Sequence, residues 1–216
     1  PADYLTVTVS CPICRDTGYD GSRLCACVKR RVAEIQKQDL STLLPVDKET
    51  FSTFRLDYYS SQPDSRFGLS PRQMAQANLQ RCRSFAEHFG SSYENLLLYG
   101  SAGLGKTFLS SCIARTVTER GFSVTYDTAI SIFDQYNAVK FRTGDPAAAA
   151  HAVERFRSAD LLIIDDLGTE MPSSFHTSCL YDLISRRLMS RKPTILSTNL
   201  LPAELENRYS QAIASR

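Results

Sequence analysis

The chain has no tryptophan in 216 residues, so its large aromatics are 11 Phe and 10 Tyr. It also lacks any apolar run near the ~18 residues of a membrane-crossing helix, which excludes a span of that kind. The opening Pro1-Ala2-Asp3-Tyr4 lacks the basic then apolar layout of a secretory signal, and a cytoplasmic protein is expected. Because the chain opens on Pro rather than Met, an upstream segment is expected too. No charge sign dominates: Lys+Arg 25 against Asp+Glu 23 leaves a formal net charge of +2. That balance neither demands nor excludes a nucleic-acid partner, and any basic surface must be local. There is no internal repeat of the kind that builds a solenoid. What remains is 43% hydrophobic and 22% charged, the balance of a soluble globular chain with one full core and a small appendage.

Against that background one stretch stands out. Gly100-Ser101-Ala102-Gly103-Leu104-Gly105-Lys106-Thr107 fits the G-x-x-x-x-G-K-[ST] phosphate-binding pattern at every fixed position. It follows the apolar run Asn95-Leu96-Leu97-Leu98-Tyr99 and leads through Phe108 into a stretch with apolar residues at helical spacing. Strand, glycine-rich loop and helix is the context that distinguishes this motif from a chance match in a surface loop. The glycines let backbone N–H groups approach phosphate oxygens, and the helix turns its positive end toward the same anion. Lys106 is expected to reach the β- and γ-phosphates, and the Thr107 hydroxyl to ligate magnesium. A nucleoside triphosphate with Mg2+ is therefore the expected ligand set, held by residues 100–108.

Four of the seven cysteines fall in a short segment, Cys11-Pro12-Ile13-Cys14 and Cys25-Ala26-Cys27. Two close pairs flanking a turn-rich stretch suit tetrahedral thiolate ligation of Zn2+, although the second pair is tighter than the usual C-x₂-C. Disulfides are the alternative, and a reducing cytosol argues against them. With almost no apolar core, the segment would depend on its metal for folding. Cys82, Cys112 and Cys179 sit in helix-like apolar patterns and read as buried side chains.

Three units are expected in order: 1–38, a zinc-binding segment with a basic helix over 28–38; 39–70, a connector broken by Pro45, Pro63 and Gly68; and 71–216, a nucleotide-binding core. In the core, Pro71 opens a helix. Strands are expected over 122–126, 161–165 and 194–198, with helices over 129–141, 146–156 and 173–189 between them. Asp145 serves as a cap and Pro146 as a first-turn residue. Continuous apolar strands spaced by helices mean an α/β fold with a parallel sheet covered on both faces.

In such a sheet, polar residues just after each strand converge on the ligand. Asp165 ends the Leu161–Ile164 run and is the expected magnesium partner of Thr107. Asp166 beside it can polarise an attacking water, and Asn199 can position that water against the γ-phosphate. A helix cap or turn is the plainer account of Asp165-Asp166 taken alone.

The phosphate loop, Leu161-Leu162-Ile163-Ile164-Asp165-Asp166-Leu167-Gly168-Thr169-Glu170 and Pro193-Thr194-Ile195-Leu196-Ser197-Thr198-Asn199-Leu200 together resemble the DnaC/DnaI-type replicative helicase loaders of the AAA+ class. The cysteine segment with Asp16-Thr17-Gly18 is similar to the zinc segment of the DnaI-like members. The resemblance implies an ATPase that assembles with copies of itself or with a DnaB-type replicative helicase, delivers or opens that ring, and touches single-stranded DNA. It also implies that Asp165 and Asp166 are the magnesium-binding and catalytic acids, that Asn199 senses the γ-phosphate, and that Arg216 of Ser215-Arg216 acts in trans on a neighbour's ATP. Many AAA+ proteins carry Glu where Asp166 stands, which weighs against fast hydrolysis but not against nucleotide binding. The fifth strand and helical lid usual in that class are expected to be absent.

Lys140-Phe141-Arg142 is a candidate single-strand contact, with surface charge near a buried Phe as the alternative. In the basic cluster Arg186, Arg187, Arg191 and Lys192, Arg187 is expected either to face a neighbouring subunit or to satisfy a helix dipole. Two rival readings stay open: an IstB-like transposition helper acting on duplex DNA, and a nonhydrolysing adaptor that uses ATP as structural glue.

Overall fold

The structure, a computed structural model, describes residues 9–65 and 68–214. The opening residues read for a targeting layout, and Ser215-Arg216, lie outside the described residues. Between the cysteine pairs, β1 (Tyr19–Asp20) and β2 (Arg23–Leu24) form a short antiparallel hairpin that the sequence pattern did not predict. α1 (Ala26–Ser41) follows, longer at both ends than expected, and buries Leu40. The connector is not loose chain: Leu44 and Val46 are buried, a 3-10 turn spans Leu56–Tyr58, and Phe51 and Phe54 pack on the core. α2 (Pro71–Glu87) starts at a capping box in which the Ser70 hydroxyl accepts from Gln73 N–H at 3.2 Å and Gln73 Oε1 accepts from Ser70 N–H at 2.9 Å.

The core alternates as expected. β3 (Leu96–Tyr99) feeds α3 (Lys106–Glu119), and β4 (Val124–Thr128) feeds α4 (Ala129–Phe141). α5 (Pro146–Ser158) is capped by Asp145, whose carboxylate accepts from Ala147 and Ala148 N–H at 3.0 Å each. β5 (Leu161–Leu167), α6 (Ser174–Met189) and β6 (Thr194–Thr198) come next. α7 (Pro202–Tyr209) and α8 (Gln211–Ala214) end the described chain. The strands form one parallel sheet in the order β3-β6-β5-β4, and no fifth strand joins it among the described residues.

β5 explains why both faces are covered. Leu161 and Ile163 enter a core with Ile113 and Val117 of α3 and Phe85 of α2, whereas Leu162 and Ile164 enter a second core with Ile132, Phe156, Leu180 and Leu183. A strand buried on both sides reads as unbroken apolar text because alternation has no solvent side to mark. The strand expected over 122–126 begins two residues later. Phe122 instead packs edge-on against Phe89, and Ser123 is held by Asp160, which accepts from its N–H at 2.9 Å and its hydroxyl at 2.8 Å.

At the amino ends of the strands, Arg187 departs from the first of its two expected roles, facing a neighbouring subunit. It is 1% exposed and turned inward. Its Nη1 donates to the carbonyls of Phe156 and Ala159 at 2.9 Å each, its Nη2 to Pro193 O at 2.6 Å and its Nε to Thr194 Oγ1 at 2.9 Å. Burial pulls the guanidinium down to about 10, still far above neutral, so it stays charged at pH 7. The side chain therefore knots α5, α6 and β6 together and does not reach toward a neighbouring subunit.

Candidate nucleotide site and cysteine cluster

The opposite, carboxyl ends of the strands carry the candidate site. The loop from Gly100 to Gly105 leaves β3 in a conformation that needs glycine, with φ of +138°, +78° and +83° at Gly100, Gly103 and Gly105. Gly105 has a second reason to lack a side chain. A Cβ there would lie 2.9 Å from the Tyr59 hydroxyl and 3.3 Å from the Phe54 ring. The connector thus lies against the loop: Tyr59 donates to Leu104 O at 3.0 Å, and Phe54 stacks on Tyr59 and meets Phe108 edge-on. Gly100 N–H donates to Thr198 O at 3.2 Å, which ties the loop to the end of β6.

Lys106 donates to Gly100 O at 2.7 Å, Ser101 O at 3.0 Å and Asn199 Oδ1 at 2.7 Å. Thr107 donates to Asp165 Oδ2 at 2.9 Å. Two pairs far apart in the chain, 106 with 199 and 107 with 165, therefore meet at one place. Asp165 is 1% exposed and accepts three bonds, from Thr107, from the Tyr126 hydroxyl at 2.8 Å and from Asp166 N–H at 3.0 Å. Burial, together with the Asp165 charge beside it, pushes the Tyr126 phenol up, so it stays protonated and donates. Tyr126 escaped sequence reading because a tyrosine inside an apolar strand carries no sign of its partner.

Asp166 differs from Asp165 because of a bulge. From Ile164 to Leu167, β5 advances three residues while its partner β6 advances two, from Leu196 to Thr198. Asp166 takes up the excess with φ +53° and is exposed, next to a buried neighbour. A bulge re-aims a side chain at the cost of local pairing. Here it sends adjacent carboxylates into different surroundings.

The loop and the two pairs fit a nucleoside triphosphate with a divalent cation on their own chemistry. They offer a glycine cradle with open space beside Gly103, a cation on the loop, and a hydroxyl next to a buried carboxylate. Ser101, Ala102 and Leu104 complete the loop. Arg216 lies outside the described residues. Of the candidate DNA contacts, Phe141 is exposed, and Lys140 Nζ sits 3.7 Å from the centroid of the Phe175 ring.

The second candidate site is the cysteine cluster. The Sγ atoms of Cys11, Cys14, Cys25 and Cys27 all lie within 4.8 Å of one another, with Cys11 to Cys25 at 3.8 Å and Cys14 to Cys27 at 3.4 Å. All seven cysteines are free, so the disulfide alternative is not the one this structure takes. A tetrahedron with Zn–S near 2.3 Å has edges of about 3.8 Å, which these separations fit. The chain holds the cluster from outside as well. Asp16, at φ +64°, accepts from Ser10 and Cys11 N–H at 2.8 and 2.9 Å, and Cys25 N–H donates to Gly18 O at 2.9 Å. Backbone N–H groups of Cys14 and Ile13 lower the Cys11 thiol to about 7, while hydrogen bonding to Cys14 and burial push Cys27 up to about 12.

The sequence profile of the family described as IstB-like ATP binding protein matches residues 64–214. The replicative helicase loader DnaC of Escherichia coli (strain K12) is 26% identical over 140 residues, covering 64% of this chain and 56% of the relative. The chain thus spans little more than half the length of that curated relative. Among solved structures, the DnaC helicase loader superposes with a TM-score of 0.61 at 19% identity, covering 79% of this chain and 92% of that one. The replication initiator DnaA bound to AMPPCP and single-stranded DNA gives 0.59 at 21% identity, covering 78% and 47%. At these identities the structural likenesses establish the AAA+ fold alone.

Proposed function

The chain belongs to the IstB-like ATP binding protein family, and from that premise we propose that it is a magnesium-dependent ATPase that loads a replicative DNA helicase onto single-stranded DNA. The observation that carries the reading is the meeting of Lys106 with Asn199 and of Thr107 with Asp165 beside one glycine loop. Lys106 holds the β- and γ-phosphate oxygens, and the N–H groups of the loop and of Phe108 cradle the rest. Thr107 and Asp165 would hold the magnesium ion, which when bound neutralises charge on the phosphates. Asp166, exposed at the bulge, orients and polarises the attacking water, and Asn199 reads the γ-phosphate.

Cys11, Cys14, Cys25 and Cys27 would hold a zinc ion that closes a segment too small for a core of its own. We retain the division into 1–38, 39–70 and 71–216 as functional units, and Arg216 as an arginine acting across a subunit contact. Similarity to a named helicase loader supports the partner assignment. ATP turnover measured with and without Mg2+, single-stranded DNA and a purified DnaB-type helicase tests the whole reading. Turnover that neither DNA nor helicase stimulates would defeat the loader role while leaving the ATPase standing.

Membership of the IstB-like family supports a second reading, that of a transposition helper acting on duplex DNA. Tight binding to duplex DNA without binding to the helicase would favour it. Nucleotide binding without turnover, with partner release unchanged in Asp166→Ala, would favour an adaptor.

A further inference from the structure

Behind the bulge lies a carboxylate that the nucleotide chemistry above does not use. Glu170 is 7% exposed. Its Oε2 accepts from Gly168 N–H at 2.9 Å, and its Oε1 accepts from the Tyr209 hydroxyl with an Arg208 nitrogen 3.5 Å away. Arg208 also donates to the Glu170 carbonyl. Arg208 and Tyr209 end α7, the helix that begins at Pro202, three residues after Asn199. One carboxylate therefore joins the segment leaving Asp166 to the segment leaving Asn199.

The same segments touch again closer to the site. Leu200 packs so tightly on Gly168 that a Cβ there would lie 2.6 Å from Leu200 Cδ1, and Leu200 N–H donates to Thr198 Oγ1 at 3.1 Å. Asp166 itself stands at φ +53°, and its carbonyl accepts from the Thr169 N–H at 3.3 Å and hydroxyl at 2.8 Å. A non-glycine residue keeps such a conformation only where its surroundings over-determine it. Thr169 supplies one restraint, and the Gly168–Glu170 bond supplies the next.

We propose that Glu170 is a positioning residue for hydrolysis: it closes a ring through Gly168, Asp166, Asn199, Pro202 and Tyr209 that sets the spacing between Asp166 and Asn199. This rests on the ATPase reading above. Asp166 and Asn199 approach a γ-phosphate from different strands: the Leu167–Thr198 pairing, with the Thr198 hydroxyl donating to Leu167 O at 2.5 Å, joins the strand ends, and Glu170 joins the segments that leave them. Glu170 holds both from the side away from the nucleotide, so it acts on the rate of the chemical step and not on nucleotide binding.

The test uses Glu170→Gln, which keeps size and one acceptor but turns an NH2 group either toward the Gly168 N–H or toward the Tyr209 and Arg208 donors, with Tyr209→Phe as a milder break of the α7 side. In Glu170→Gln, kcat falls about tenfold while KM and the affinity for a fluorescent ADP analogue stay within about twofold. In Tyr209→Phe the fall is about threefold with the same split. Amide exchange, read without turnover, rises together at residues 166–169 and 206–210 in both variants. An unchanged kcat, an equal loss in binding and turnover, or exchange that rises in one segment alone overturns the proposal. A parent protein that binds nucleotide without hydrolysing it would refute the ATPase reading, whereas uncoupled exchange in an active parent refutes the role of Glu170 by itself.

Discussion

The two ends of the sheet handle a cation in contrasting ways. At the amino ends, Arg187 of α6 is enclosed and all three guanidinium nitrogens have acceptors at the end of α5 and the start of β6. At the carboxyl ends, Lys106 is only partly buried and rests on two carbonyls of its own loop and on Asn199. Both charges have partners, yet only one can exchange them. All but one of Arg187's acceptors named above are backbone carbonyls in the packed ends of α5 and β6, and the other is the buried Thr194 hydroxyl, so nothing can replace them without unfolding. Lys106's acceptors belong to a loop and an amide side chain, which can give way to a better anion at little cost. The comparison teaches that a satisfied charge is structural or functional according to what satisfies it.

The largest expected effect comes from removing the enclosed charge. Arg187→Leu strands several buried carbonyls and should lower unfolding free energy by about 3–5 kcal/mol in a urea titration. A loss below about 1 kcal/mol would mean that water replaces the guanidinium and that the amino end is not a knot. Next, Lys106→Ala should weaken binding of a fluorescent ATP analogue about 100-fold, roughly 2.7 kcal/mol, because charge-assisted bonds to phosphate are lost. Its urea midpoint should stay near that of the parent protein; a shift as large as that of Arg187→Leu would erase the distinction between the two ends.

Tyr126→Phe sharpens the comparison on the acid side. It removes one of three donors to Asp165 and should cost about 1 kcal/mol of stability while raising the Mg2+ concentration needed for nucleotide binding. Mg2+ dependence identical to the parent's would show that Thr107 and the Asp166 N–H suffice to orient the carboxylate. The smallest effect on the core is expected from stripping zinc with a chelator. Amide exchange should rise over residues 10–27 and stay unchanged in β5 and β6, since the two regions bury separate apolar clusters.

The same stripped protein tests the thiols at pH 8. Burial raises Cys82 to about 11, Cys112 to about 12 and Cys179 to about 11, so below those values they remain thiols and should resist alkylation. The four cluster thiols, exposed once the chelator opens residues 10–27, should be modified before the three buried ones. Rapid modification of Cys112 would mean that α3 opens locally.

Much of this was legible before any coordinates. The phosphate loop announces itself because backbone approach to an anion requires glycine at fixed intervals, and the strands do so because a doubly covered sheet tolerates few polar residues. The cysteine spacing announced a tetrahedral donor set for the same kind of reason. For Arg187, a place near a helix end leaves open a neighbouring subunit or a helix dipole, and says nothing of the α5 carboxyl end packed over it that the guanidinium satisfies. α7 and α8 are not legible in the sequence since they are short and, among the described residues, bury only Leu205, Tyr209 and Ile213. Glu170 lay inside a quoted motif, yet its partner Tyr209 is 39 residues away.

By itself the sequence determined which groups are available and which elements present them: a glycine loop with Lys106 and Thr107, acids after one apolar strand, an amide after another, four thiols in close pairs. Only the tertiary structure decided how two adjacent aspartates divide, one buried against Thr107 and Tyr126 and the other exposed at a bulge. The reason is that strand register is a property of two strands side by side. Position 166 can be re-aimed only by what β6 does beside it and by what Glu170 holds behind it.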